Sequence, residues 1–197
     1  ETRKWQKTIG VAISRYMAFK RDFALMLVAP SFVFIAINYS LWRAIYQSRN
    51  GEAISGFSMS QMLHYQCWSF IATLLVRSHR TWNLSEHIRL GRITSFLLYP
   101  FEAWKLYASE FVAFQLLQTM TALLSIAALR IFGFIPALEF TPCFLGIAFS
   151  LLVGVLWFVV EFAIGLLGFW LEEVWVFRQI FGFSAILFSG ALIPLEL

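Results

Sequence analysis

The sequence predicts an all-helical, polytopic bundle of transmembrane helices, and three observations carry that prediction. Of its 197 residues, 60% are hydrophobic and only 13% are charged, whereas a soluble domain is about half apolar and about a quarter charged. The mean hydropathy is +0.74. The chain also holds 22 Phe and 8 Trp, a content of large aromatic residues that is typical of lipid-embedded proteins.

Five segments are long and apolar enough to be predicted as spans, since a bilayer core of about 30 Å needs roughly 20 apolar residues per helix. They comprise residues 23–42, 57–76, 104–129, 144–171 and 174–193. The second is the weakest because its first half is polar, and Gly190 and Pro194 interrupt the fifth near its end. No internal repeat and no Gly-, Ser- and Pro-rich linker divides the chain. We therefore expect a single transmembrane domain over residues 1–197.

The distribution of Lys and Arg predicts the orientation. These residues are concentrated in residues 1–22 and in the connection between the second and third spans. The excess of basic residues on the cytoplasmic side places both segments in the cytoplasm. Residues 1–22 also mix basic with apolar and aromatic side chains at a helical period, which favours an amphipathic helix lying on the membrane and contacting anionic lipids. An ordinary basic flank is the alternative.

The sequence lacks the motifs of several kinds of catalytic, nucleotide-binding and metal-binding sites. The sequence has no phosphate-binding G-x-x-x-x-G-K-[ST] loop, no H-E-x-x-H and no G-x-S-x-G. Asp22 is the only Asp, and no His stands at metal-ligand spacing from a Cys or a carboxylate. Cys67 and Cys143 are expected to be free, buried thiols. We therefore expect no catalysis, no metal and no cofactor in this chain.

A charged stretch between the second and third spans is predicted to form a helix over residues 83–99. Asn83 followed by Glu86 is a variant of the capping box that begins many helices. Gly91 predicts a bend or a close approach, and Pro100 suits the first turn of the next helix. Its polar residues are expected to face outward and its apolar residues to lean on neighbouring helices or lipid. A solvated loop helix would fit this pattern equally well.

The run SEHIRLGRITSFLLYP, with the FEAWKLYASEF that follows it, resembles a segment of type-2 ATP-binding-cassette exporter permeases. In those permeases the segment lies in the cytoplasm, between the second and third spans. In one bacterial branch the matching positions are, in order, Glu86, Ile88, Arg89, Gly91, Leu97, Leu98 and Pro100. The stretch SGALIPLEL at 189–197 is similar to the Gly-Pro break that follows the fifth span in that branch.

This resemblance implies a cytoplasmic coupling helix that docks on a separate nucleotide-binding ATPase subunit, which would hold the ATP and Mg²⁺. It also implies an amphipathic N-terminal helix, an inner (plasma) membrane location and a second permease subunit in a homodimer or heterodimer. Such permeases have six spans, so we expect a sixth beyond Leu197. No nucleic-acid partner is expected. The residues expected to contact the ATPase are Ser85, Glu86, His87, Arg89, Leu90 and Arg92.

Polar residues inside the predicted spans are the second set of candidate site residues. An ionised carboxylate in mid-helix needs a partner or water. Glu161 is therefore expected to line a path or a subunit seam, or else to be a neutral or locally paired structural carboxyl. Intramembrane amides often bond between helices. Glu110 is expected to pair with Lys105 or Arg92, and Gly165 with Gly168 to thin one helix face. The candidate residues for the translocation path or for polar contacts between helices are Asn38, Gln115, Gln118 and Glu161.

These patterns favour a permease subunit that forms the translocation path of an ATP-driven exporter. An ion channel or secondary carrier and a non-transporting membrane scaffold are the alternatives. An integral membrane enzyme is the least supported class, since no nucleophile–base pair or metal constellation is present. The residues do not identify the transported substrate.

Overall fold

The computed structural model describes residues 2–18, 20–76, 83–96, 98, 102–131, 133 and 140–190. Within these ranges the chain is helical, with no strand beyond a single bridge between Ile54 and Phe57. The all-helical prediction is therefore confirmed. The helices are α1 (Thr2–Ala18), α2 (Lys20–Ser48), α3 (Met59–Val76), α4 (Asn83–Arg89), α5 (Ile93–Phe96), α6 (Ala103–Ile131), α7 (Phe140–Leu166), a 3₁₀ helix (Leu167–Phe169) and α8 (Val174–Phe188).

Two of the helical segments are long and apolar enough to cross a membrane. Within the described residues they are Ala103–Ile131 and Thr141–Phe169, and α8 is a shorter apolar helix. Five spans stay a prediction. The basic residues Arg77 and Arg80, and residues 191–197 at the end of the predicted fifth span, lie outside the described residues.

The start of α3 is a capping box that the sequence analysis did not identify. The backbone N–H of Ser58 donates to Oε1 of Gln61 at 2.9 Å, and the backbone N–H of Gln61 lies 3.4 Å from the Ser58 Oγ. Ser58 and Gln61 form the S-x-x-Q signature of a helix start. The polar first half of the second predicted span is thus partly explained by a helix cap.

Helices α2 and α3 run antiparallel and meet through aromatic residues. Near the connecting turn, Trp42, Tyr46 and Met62 are all buried and form one cluster. Farther along, the rings of Phe34 and Phe70 stack with their centroids 5.0 Å apart. These contacts bury apolar surface along the length of both helices, which is what stabilises the pair.

The buried centre of the bundle lies between α3 and α6, and α7 packs on it. The cluster holds the buried residues Cys67, Phe70, Ile71, Leu75, Ala122, Ile126 and Leu129, with Ile147 and Leu151 of α7 against it. Cys67 is a free, buried thiol, as predicted, whereas Cys143 is free but only half-buried.

Helices α3, α6 and α7 meet at a junction formed by Leu75, Gln115 and Gly154. The amide Nε2 of Gln115 donates to the backbone carbonyl of Leu75 at 2.6 Å. A Cβ built on Gly154 would lie 2.9 Å from the same carbonyl oxygen and 3.7 Å from the Gln115 amide. The absence of a side chain at Gly154 therefore allows α7 to pass directly over the last turn of α3.

We expect Gly154→Ala to destabilise the protein, by about 1–3 kcal/mol, because the added methyl group meets backbone that cannot rotate away. Gly146→Ala on the same helix is the matched control, since nothing lies within 4 Å of its Cβ position. This change should be neutral or stabilising by up to about 1 kcal/mol. Denaturant unfolding of both variants in detergent micelles measures the difference, and equal stability would show that the junction is not tight.

Helix α1 packs against α6, and the contacts proceed in the same direction along both helices. The rings of Trp5 and Trp104 lie edge to face at 6.3 Å. Farther along, Tyr16 packs on Phe114 with ring centroids 5.6 Å apart. The amphipathic segment at 1–22 thus has a protein-facing side.

The prediction that Glu110 pairs with Lys105 or Arg92 was wrong. Its carboxylate pairs with Arg15 of α1 at 3.0 Å. Lys105 instead pairs with Glu102 at 2.7 Å, three residues earlier on the chain. That hydrogen bond lowers the pKa of the exposed Glu102 carboxyl below its ordinary value.

Candidate functional site

The charged stretch predicted as one helix over residues 83–99 consists of two short helices, α4 and α5. They are separated at Gly91, which has φ +67° and nothing within 4 Å of its Cβ position. Of the two expected roles of Gly91, the bend is the one that the structure shows. The side chain of Asn83, and residues 97 and 99–101, lie outside the described part of the chain.

One side of α4 is packed against the end of α7. Leu84 is only 1% exposed, and a Cβ added to Gly165 would lie 3.1 Å from the Cβ of Leu84. A Cβ on Gly168 would lie 3.0 Å from the Cα of Ser85 and 3.3 Å from its carbonyl oxygen. The small-residue face predicted from Gly165 and Gly168 is therefore the place where α4 packs, and we call it the α4 seat.

A second attachment joins α4 to α6. The Nδ1 of His87 and the Oη of Tyr107 are 2.8 Å apart and share a hydrogen bond. Phe96 of α5 lies against both rings, with centroids 5.6 Å from His87 and 5.9 Å from Tyr107. Tyr107 in turn meets Phe162 of α7 at 5.9 Å. Helices α4 to α7 thus share one continuous aromatic cluster.

We expect Tyr107→Phe to loosen α4 without unfolding the bundle, because it removes only the hydrogen bond to His87 and keeps the ring contacts. The cost should be about 0.5–1.5 kcal/mol. Hydrogen exchange of the α4 amides measures it, and faster exchange confined to residues 84–90 is the expected result. Tyr65→Phe is the matched control, since that hydroxyl donates instead to the carbonyl of Gly190, in the turn that follows α8. Similar α4 exchange in both variants would contradict this attachment.

The other side of α4 is exposed. Of the six residues predicted to contact a partner, the four exposed ones are Glu86, Arg89, Leu90 and Arg92. Ser85 and His87 instead face the bundle, through the α4 seat and Tyr107. The structure therefore places an exposed surface of one carboxylate, two guanidinium groups and a leucine at the end of the bundle that carries the α4 seat.

The polar residues predicted inside the spans do not converge on one site. Asn38 donates from Nδ2 to the carbonyl of Phe34 in its own helix at 2.9 Å. It lines a cavity of about 20 Å³ between α2 and α3, beside Gln66. Gln115 bonds between helices at the Leu75 junction, as intramembrane amides often do, and Gln118 is buried in α6.

Glu161 has a partner that the sequence analysis did not name. Its Oε2 lies 2.9 Å from the Nε of Arg178 on α8, and both side chains are less than a tenth exposed. A signal was present, because each is the only charged residue in its predicted span. Intramembrane charges usually pair with one another.

These features define a class of protein, namely a helical membrane protein with a short charged helix that is anchored on one side and exposed on the other. Comparison with known families identifies it further. The family described as ABC-2 family transporter protein matches residues 32–195, and the chain belongs to this family. No curated protein and no solved structure matches the chain.

Family membership makes this chain a component of a membrane transporter. Permeases of this family associate in general with an ATP-binding subunit and are generally not catalytic themselves. Within the described residues, no group of three or more His, Cys, Asp or Glu side chains could hold a metal ion.

Proposed function

We propose that this chain is the permease subunit of an ATP-driven exporter and that α4 docks on a separate ATP-binding subunit. The observation that supports this proposal is the two-sided environment of α4. Its exposed side carries Glu86 and Arg89, with Arg92 exposed in the turn that follows, and its other side is held by the α4 seat and by Tyr107. In this proposal ATP and Mg²⁺ bind to the partner.

A docking helix must do two things, and α4 is suited to both. Charged side chains on an exposed surface select a partner and fix its orientation through complementary charges. The contacts behind them must be stiff if a movement of the partner is to reach the membrane helices. Leu84, which is almost completely buried, and the backbone contact at Gly168 supply such contacts.

The same proposal fixes the topology and the cycle. Residues 1–22 and α4 lie on the cytoplasmic side of the inner membrane. The five spans predicted from sequence are followed by a sixth. Two permease subunits together enclose the translocation path. ATP binding and hydrolysis in the partner then shift the bundle between inward- and outward-facing states. Such a shift requires that the partner bind the two states with different free energies.

Co-purification tests this proposal directly. A tagged full-length protein, extracted in mild detergent from its native membrane, is expected to bring an ATP-binding subunit with it in stoichiometric amount. Replacing Glu86 and Arg89 together by Ala should greatly reduce that amount, because the surface loses both signs of charge. The matched control is Arg49→Ala with Glu52→Ala, which removes the same charges from the exposed turn between α2 and α3.

The outcomes separate the candidate functions. Loss of the ATPase in the first variant and its retention in the control would support docking through α4. A chain that comes without any ATPase would refute the proposal and favour a gradient-driven channel or carrier, or a scaffold. Flux measurements in vesicles would then distinguish these two.

A further inference from the structure

One face of α7 and of the 3₁₀ helix that continues it carries both the α4 seat and the buried ion pair. Glu161, Gly165 and Gly168 are spaced four and three residues apart, and residues at these spacings lie on the same side of a helix. Gly165 and Gly168 contact α4, whereas Glu161 binds Arg178 of α8. The two contacts are therefore about one helical turn apart, roughly 6 Å along the axis.

The chain connection brings α8 to this same place. The 3₁₀ helix that contains Gly168 leads through residues 170–173 into α8. The first residue of α8, Val174, is buried, with 2% of its surface exposed. The end of α7, the 3₁₀ helix and the start of α8 thus form a compact hairpin, with α4 packed on it and the ion pair inside it.

Stability alone does not account for a buried ion pair. Desolvation of two charges offsets most of their attraction, and well-packed apolar residues of similar size are often as stable or more stable. What the pair adds is a resistance to relative movement, since sliding α8 on α7 would separate two charges that lie 2.9 Å apart in a buried place. An apolar contact at the same place would allow α8 to rotate or slide on α7.

We propose that Glu161 and Arg178 are positioning residues that lock α8 to the α4 seat, so that α4, the hairpin and α8 move as one body. This inference rests on the proposed function, in which α4 receives the movement of an ATP-binding subunit. The ion pair then carries that movement from α4 to the last of the described membrane helices.

Distances between spin labels test the lock. Cysteines for labelling replace Leu90 at the end of α4 and Gln179 on α8, two exposed positions, in a protein whose Cys67 and Cys143 are replaced by Ala. The native pair should give a narrow distance distribution in lipid nanodiscs. The variant E161M/R178M keeps the volume and removes the charges, so it should unfold at a temperature no lower than the native pair but give a broadened distribution. The charge swap E161R/R178E should narrow it again.

The second readout is ATP hydrolysis by the complex with its ATP-binding subunit. We expect hydrolysis to fall by about two- to thirtyfold in E161M/R178M, the range typical of changes along a coupling network, and to recover in the charge swap. A distribution as narrow as that of the native pair, or unchanged hydrolysis despite broadening, would overturn the inference. Failure to isolate any ATPase would instead refute the proposed function, and the label distances do not depend on that result.

Discussion

Valine in place of Gly168 is expected to displace α4 from its seat and, under the proposed docking, to abolish the permease's stimulation of ATP hydrolysis in the ATP-binding subunit. The added side chain would begin 3.0 Å from the Cα of Ser85 and 3.3 Å from its carbonyl oxygen. These are backbone atoms, so the clash cannot be relieved by a change of rotamer. Overpacking of this kind costs about 1–3 kcal/mol, and a seven-residue helix has few other contacts with which to resist it.

Two measurements detect the displacement of α4. Hydrogen exchange should show faster exchange in residues 84–90 while α6 and α7 stay protected, and the ATPase rate of the purified complex should fall to that of the isolated partner. Gly146→Val is the matched control on α7, since its Cβ position has no neighbour within 4 Å. Gly165→Ala should have a smaller effect, because it adds a smaller group and its contacts are with side-chain atoms of Leu84, not with backbone. If Gly168→Val behaved like Gly146→Val, the seat would play no part in coupling.

The second large effect is expected at the buried ion pair. Glu161→Ala leaves the guanidinium of Arg178 in an apolar interior without the carboxylate that balances it. Breaking a buried pair in this way is expected to lower the free energy of unfolding by about 3–5 kcal/mol. The double variant E161M/R178M should instead be at least as stable as the native protein, because no unbalanced charge is left.

Unfolding by denaturing detergent measures these free energies, with Arg15→Ala as the comparison. The Arg15–Glu110 pair is largely exposed on the arginine side, so its loss should cost no more than about 1 kcal/mol. A Glu161→Ala variant as stable as Arg15→Ala would mean that Arg178 finds another partner or reaches water, and the lock inferred above would fail.

Local sequence patterns predicted the features of the site that depend on neighbouring residues, but they did not predict the contacts between distant segments. The charges of α4 and the bend at Gly91 follow from local patterns, and the face of Gly165 and Gly168 follows from helical periodicity. What periodicity could not supply was the identity of the element that occupies this face. Leu84 and Ser85, which occupy it, lie far from Gly165 and Gly168 in the sequence, and a local pattern does not specify such a distant contact.

The errors in pairing have the same origin. Glu110 was assigned to Lys105 or Arg92 because these lie near it in sequence, whereas its partner Arg15 comes from α1 and reaches it only when α1 packs on α6. The spacing of Glu102 and Lys105 was available and is typical of helical ion pairs. The Arg178 partner of Glu161 could also have been inferred, from the single charge in each of the two predicted spans.

Photo-crosslinking from α4 tests the central claim most directly. A photoreactive amino acid replaces Leu90, which directly follows α4 beside its charged residues and is 48% exposed. In a matched protein it replaces Leu187, which is 66% exposed on α8. Illumination of native membranes should join the chain to an ATP-binding subunit from position 90 and not from position 187. An adduct with an ATP-binding subunit from neither position, or equally from both, would contradict docking through α4.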